Sequence, residues 1–107
     1  MANQPGYRTL VDLEDDIIIA ISGQLISFSG LLFQHGLIDV DEYDEARITR
    51  NPVQERARNV MAAVRNRVTV DESCFETLLT IFDQDRAQNR VIIGRLWETY
   101  EQRGTNT

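Results

Sequence analysis

Lysine is missing altogether: all eleven basic residues are arginine. Arginine holds bidentate ion pairs and is favoured at protein interfaces, although lineage bias in composition gives the same result. Cysteine is nearly missing too. Cys74 alone cannot close an internal disulfide, so no oxidising compartment is implied. Long apolar runs are absent, the longest being the five residues 17–21, against the roughly 20 needed to span a bilayer. The start, MANQPGYRTL, has no apolar signal region. A cytoplasmic protein without membrane partners is expected. An excess of positive charge is lacking as well: the net charge is −6, which argues against nucleic acid as a partner. Proline occurs twice and glycine six times, mostly near the ends of periodic segments, which favours helices over a strand-and-turn fold.

What is present suits one soluble domain. The chain has 107 residues, 42% hydrophobic and 26% charged. A domain of this size buries roughly two-thirds of its unfolded surface, enough for a core without metal or disulfide.

Periodicity divides the chain into six helices, at about 7–21, 24–35, 40–48, 52–66, 70–83 and 86–102. In NPVQERARNVMAAVRNRV, Val53, Ala57, Val60, Met61, Val64 and Val68 form one stripe, with Asn51 as N-cap and Pro52 in the first helical position. Phe75, Leu78, Leu79 and Phe82 form the next stripe, opened by a Thr69/Glu72 capping box. Ile92, Ile93, Leu96, Trp97 and Tyr100 line the last, with Asp85 and Gln88 at capping spacing and Gly94 available for close packing. Gly36 suits the left-handed position that closes the second helix. The β-branched run IIIAI fits either a buried strand or a helix; no good second strand accompanies it, so a first helix is expected, with a bend or break in it left open. The expectation is an all-α, six-helix antiparallel bundle over 7–102, with an N-terminal extension (1–6) and a C-terminal tail or linker start (103–107).

The most charged stretch, DVDEYDE, places Asp39, Asp41, Glu42, Asp44 and Glu45 within seven residues. A calcium loop starting at Asp39 would need glycine at position 6 and glutamate at position 12; Asp44 and Arg50 stand there. A capped amphipathic helix fits better, with Val40, Tyr43 and Ala46 inward and the carboxylates solvated. Solvated carboxylates keep ordinary pKa values and make poor general acids near neutrality. No nucleophile–base spacing, phosphate loop or metal-ligand cluster is visible, so neither catalysis, cofactor nor metal is expected. Cys74 reads as a half-buried structural residue, Trp97 and Tyr100 as core, and the single His35 as a helix-end residue.

Charge segregation is the more informative feature. The acidic block is followed by Arg47, Arg50, Arg56, Arg58, Arg65 and Arg67, with only Glu55 between. One reading is an internal acid–arginine network. The other is a head-to-tail contact between copies, a heterologous geometry that builds open assemblies.

The string LLFQHGLIDVDEYDEARITRNPVQERARNVMAAV resembles a caspase-recruitment domain (CARD) of the death-fold superfamily. The resemblance rests on Leu31 and Leu32, the Gly36-Leu37 turn, the acidic helix 41–45 and the arginine-bearing segment 54–61. Downstream, CFETLLTIF and the segment 92–96 resemble the family's fifth and sixth helices. Two features depart from the pattern: Arg67-Val68 stands where many members have glycine, and Glu14, Asp15 and Asp16 make the first helix acidic. The resemblance implies a non-enzymatic module that assembles with itself or with other death-fold domains, forms helical filaments, and recruits signalling proteases or adaptors. Carried over by position, Asp41, Glu42, Asp44 and Glu45 make the acidic side of the contact, and Arg56, Arg58 and Arg65 the basic side. Death, pyrin and death-effector domains share the six-helix architecture and stay open, although DQDRAQNRVII lacks the Arg-x-Asp-Leu element usual in the last. So does a reading of another class, a small helical ligand-binding or enzyme domain with a pocket near Trp97, Tyr100 and Cys74.

Overall fold

Apolar residues spaced by three and four become helix throughout. A computed structural model describes residues 5–48, 50–84 and 86–105, with backbone alone for 86–88 and 103–105. Among the described residues there are seven helices and no strand: α1 (Pro5–Asp12), α2 (Glu14–Ser22), α3 (Leu25–Gln34), α4 (Val40–Ala46), α5 (Val53–Val70), α6 (Ser73–Asp83) and α7 (Arg86–Thr105). The architecture is all-α. The described count is seven rather than six because the segment expected as one helix over 7–21 is two, parted at Leu13.

The break falls where the main packing partner changes. Leu13 sits at φ −108°, ψ 13°, yet hydrogen bonds run on through it, Leu13 N–H to the Thr9 carbonyl and Ile17 N–H to the Leu13 carbonyl. The backbone bends while its hydrogen bonds stay satisfied. On one side α1 packs mainly on α7; on the other α2 packs mainly on α5. Glu14, Asp15 and Asp16 fill the first turn of α2, where the positive end of the helix dipole favours carboxylates.

The core is a single cluster. Ala57, Val60, Met61, Val64 and Val68 of α5 are buried, as the stripe predicted, while Val53, its first member, is exposed at the start of the helix; buried with them are Ile17 and Ile21 of α2, Leu32 of α3, Phe75, Leu78 and Phe82 of α6, and Leu96 of α7. Phe28 and Phe82 stack at 4.9 Å between ring centres. Burying each such side chain contributes about 1.5–3 kcal/mol. The Cα radius of gyration, 13.1 Å, matches the roughly 13 Å of a 100-residue domain.

Several boundaries differ from expectation. Pro5 and Gly6 belong to α1 and not to an extension; residues 1–4 lie outside the described part. Gly6 is needed there, because a Cβ at that position would come within 2.7 Å of the Phe75 Cβ. Helix α5 starts one residue later than expected, with Pro52 as its cap and no side-chain cap from Asn51. It also runs four residues further, to Val70. Thr69 is therefore inside α5, its hydroxyl donating to the Arg65 carbonyl, and it cannot cap α6. Instead the Asp71 carboxylate accepts from the Ser73 N–H and hydroxyl, and these bonds hold it below the usual carboxylate range. The Glu72 carboxylate reaches across the molecule to accept from the Gly6 N–H at 2.7 Å. Helix α7 continues to Thr105, past the expected end at 102; Asp85 and residues 106–107 lie outside the described part. Gly94 faces open space, so it serves no close approach. Gly36 does adopt the left-handed conformation, φ +79°.

Candidate protein-interaction surface

Helix α4 is short, so its N-terminus decides its orientation. The Asp39 carboxylate accepts from the Glu42 N–H and the Glu42 carboxylate accepts from the Asp39 N–H, both at 2.8 Å. This reciprocal capping box satisfies two otherwise orphaned donors. It makes Val40 the first helical residue and turns it outward, 54% exposed, contrary to its expected inward position. The inward role falls to Leu37 and Ile38 in the preceding turn and to Ala46. Tyr43 is half-buried, stacked on Phe33 at 5.1 Å.

The acidic residues expected on one surface do different work. Glu42 is committed twice, to the cap and to Arg67, whose Nη2 lies 3.3 Å from Oε1. Asp44 pairs with Arg47 at 2.8 Å, and the same guanidinium lies over the Tyr43 ring. The Asp44 hydrogen bond raises the pKa of Arg47 further. Asp41 and Glu45 are exposed and make no ion pair among the described residues.

The arginines of α5 divide by edge. Arg56 donates to the carbonyls of Ala46 (2.7 Å) and Asn51 (3.0 Å), tying the end of α4 to the start of α5. Arg67 donates to the Gly36 carbonyl as well as to Glu42. Arg65 pairs with Glu14 of α2, both half-buried. Arg58 stands 3.8 Å from Asp15, with side chains 55% and 87% exposed. At 100° per residue, positions 56, 63 and 67 form one edge of α5 and positions 58 and 65 the other, about 200° away. The first edge meets α4; the second meets α2. Of the three expected basic residues, Arg56 and Arg65 are thus engaged within the fold, and Arg58 is largely open to solvent.

The internal acid–arginine network that the sequence allowed is present in Glu42–Arg67, but its members on α2 were not foreseen. Glu14, Asp15 and Asp16 receive Arg65, Arg58 and Arg95. In the sequence the triplet marked only an acidic first helix; its partners lie too far along the chain for spacing rules to find.

The residues of the ligand-site reading are dispersed. Cys74 is half-buried, and burial pushes its thiol above the ordinary value, which disfavours the reactive thiolate. It lines a groove of about 500 Å³ with Gly36, Glu42, Ala63, Asn66, Arg67, Val70 and Asp71; Trp97 and Tyr100 are not among its walls. Tyr100 packs on Phe75 at 4.6 Å. Burial, then the charges of Glu72 and Glu76, raises its pKa. Trp97, expected in the core, is 44% exposed and meets Tyr100 edge-on. His35 caps the end of α3, in reach of Gln84. Among the described residues no three His, Cys, Asp or Glu side chains group closely enough to hold a metal ion. No single described helix is long and apolar enough to cross a membrane.

No family model, curated protein or solved structure matches this chain.

Proposed function

We propose that this chain is a CARD-like, non-enzymatic interaction module of the cytoplasm that assembles head to tail with copies of itself and recruits death-fold signalling partners such as proteases or adaptors. One observation carries the reading. The unpaired carboxylates Asp41 and Glu45 lie on α4, which packs on one edge of α5, while Arg58 projects from the opposite edge. Within one copy these groups are kept apart. Between copies they complement each other, and because the two patches differ, the contact does not close on itself.

The active groups are fewer than the four acids and three arginines expected from the sequence. Asp41 and Glu45 form the acidic half, with Asp44 shared with Arg47. Arg58 is the centre of the basic half, because its ion pair among the described residues is a long one to an exposed Asp15. Exposed ion pairs contribute about 0–1 kcal/mol each and weaken with salt. Affinity therefore needs several pairs plus apolar burial, and assembly is salt-sensitive. Light scattering and negative-stain microscopy across a salt series test this. Open, elongated assemblies are expected at low salt, lost at high salt and lost on Arg58→Glu. A strict monomer at low salt and high concentration contradicts self-assembly.

A further inference from the structure

Helix α1 is held more lightly than its neighbours. It buries Gly6, Thr9 and Leu10, of which Leu10 alone is a large apolar side chain, whereas α6 beside it buries Phe75, Leu78, Leu79, Ile81 and Phe82. The first turn of α1 is tied down through the Gly6 N–H, which donates to Glu72 Oε2 at 2.7 Å. The other oxygen of that carboxylate, Oε1, is buried and meets no donor among the described residues, so the clasp leaves an acceptor unsatisfied. Segments that bury little apolar surface are the first to open. Leu13 gives such an opening its pivot. Helical hydrogen bonds run through it, from the Leu13 N–H to the Thr9 carbonyl and from the Ile17 N–H to the Leu13 carbonyl. No proline or glycine interrupts 7–22. Straightening at Leu13 therefore joins α1 and α2 into one helix over 5–22 with these two bonds kept.

We propose that α1 is an exchangeable arm: it swings out about Leu13 and docks in the seat of a second copy, which returns its own arm. The seat selects its occupant. A Cβ at position 6 would come within 2.7 Å of the Phe75 Cβ and 2.8 Å of its Cγ, so the turn that docks there carries glycine. It also brings a free N–H to Glu72 and, four residues on, the side chain of Leu10. The segment that fills the seat within one copy is α1, and an exchanged α1 makes the same contacts again. Every charge that faces α1 before exchange faces it afterwards. An open arm uncovers Phe75, fully buried when the arm is closed, beside Tyr100 stacked on it. Water penalises that exposure, and at high concentration the arm of another open copy removes it by domain swapping. Two chains of net charge −6 repel as they approach, so salt favours the exchange. The head-to-tail contact has the opposite salt dependence, and the two are independent.

Isotope-filtered NMR on the unsubstituted chain tests it. Carbon-13-labelled and unlabelled chains are mixed in equal amounts at high concentration and high salt, held at the urea midpoint, returned to native buffer and separated by size exclusion. A dimer fraction should form, and it should show nuclear Overhauser contacts between Gly6 of one chain and the Phe75 ring of the other. The monomer fraction should show that contact within a chain only. Absence of a dimer fraction, or a dimer whose Gly6–Phe75 contact stays within each chain, overturns the proposal. A second variant tests the pivot. Two glycines inserted after Leu13 break the helical continuity and lengthen the hinge, and the dimer fraction should fall by about fivefold or more. A fraction unchanged by the insertion overturns the role of Leu13. Because high salt removes the head-to-tail contact throughout, failure here leaves that contact untouched, and its loss leaves the exchange in place.

Discussion

Two helices of this molecule begin with clustered carboxylates, and they use them differently. Helix α2 opens with Glu14, Asp15 and Asp16, and each faces an arginine from another helix. Helix α4 carries Asp41, Glu42, Asp44 and Glu45, of which Glu42 and Asp44 are paired, while Asp41 and Glu45 make no ion pair among the described residues. Both clusters suit a helix N-terminus. Their fates diverge because α2 lies along the arginine-bearing edge of α5 and against α7, whereas the exposed Asp41 and Glu45 of α4 meet no arginine among the described residues. Acid content alone therefore does not mark an interaction surface. The surface is what remains after the fold has taken the charges it uses.

That contrast can be broken by substitution. The largest effect should come from Arg65→Ala. It leaves half-buried Glu14 without its partner, and its cost lies between the values for exposed and buried pairs, about 1–2 kcal/mol. The helix dipole at the start of α2 keeps it from the upper extreme. Thermal unfolding should show a fall in Tm on the order of 5–10 °C. Glu42→Ala should cost about 1 kcal/mol, because it removes half of a capping box together with the Arg67 pair. The smallest effects should come from Asp41→Ala and Arg58→Ala, each within about 0.5 kcal/mol of the parent. Urea titration of these four variants orders them. If Asp41→Ala costs as much as Glu42→Ala, the division of α4 into folding and contact residues is wrong.

Legibility followed distance along the chain. The stripes of α5, α6 and α7, apart from exposed Val53 and Trp97, and the capping box of α4 were plain, because each depends on residues within a few positions of one another. Thr69/Glu72 had the same spacing and failed. Packing carried α5 past Thr69, and the Glu72 carboxylate found Gly6, 66 residues away. A bend or break in the first helix was an open option, but its place was not legible, since Leu13 falls where the main packing partner changes from α7 to α5. Val40 was misplaced because the cap, not the apolar count, sets the rotation of a helix of seven residues. For the site, the acidic cluster was visible, but which acids remain unpaired was not. Glu14 and Arg65 are 51 residues apart, and no spacing rule reaches that far. Of the basic residues singled out, Arg58 alone stays largely open, because Arg56 sits where backbone carbonyls of the preceding turn come into reach.

The central claim is that Asp41 and Glu45 of one copy meet Arg58 of the next. Mixing two defective chains tests it most directly. One carries Asp41→Asn and Glu45→Gln and keeps its basic patch; the other carries Arg58→Ala and keeps its acidic patch. At protein concentrations too low for exchange of α1, each alone should stay monomeric. Their mixture should give a one-to-one complex at low salt, read by light scattering coupled to size exclusion, which dissociates as salt is raised. A mixture that stays monomeric while the unsubstituted chain assembles would contradict the claim.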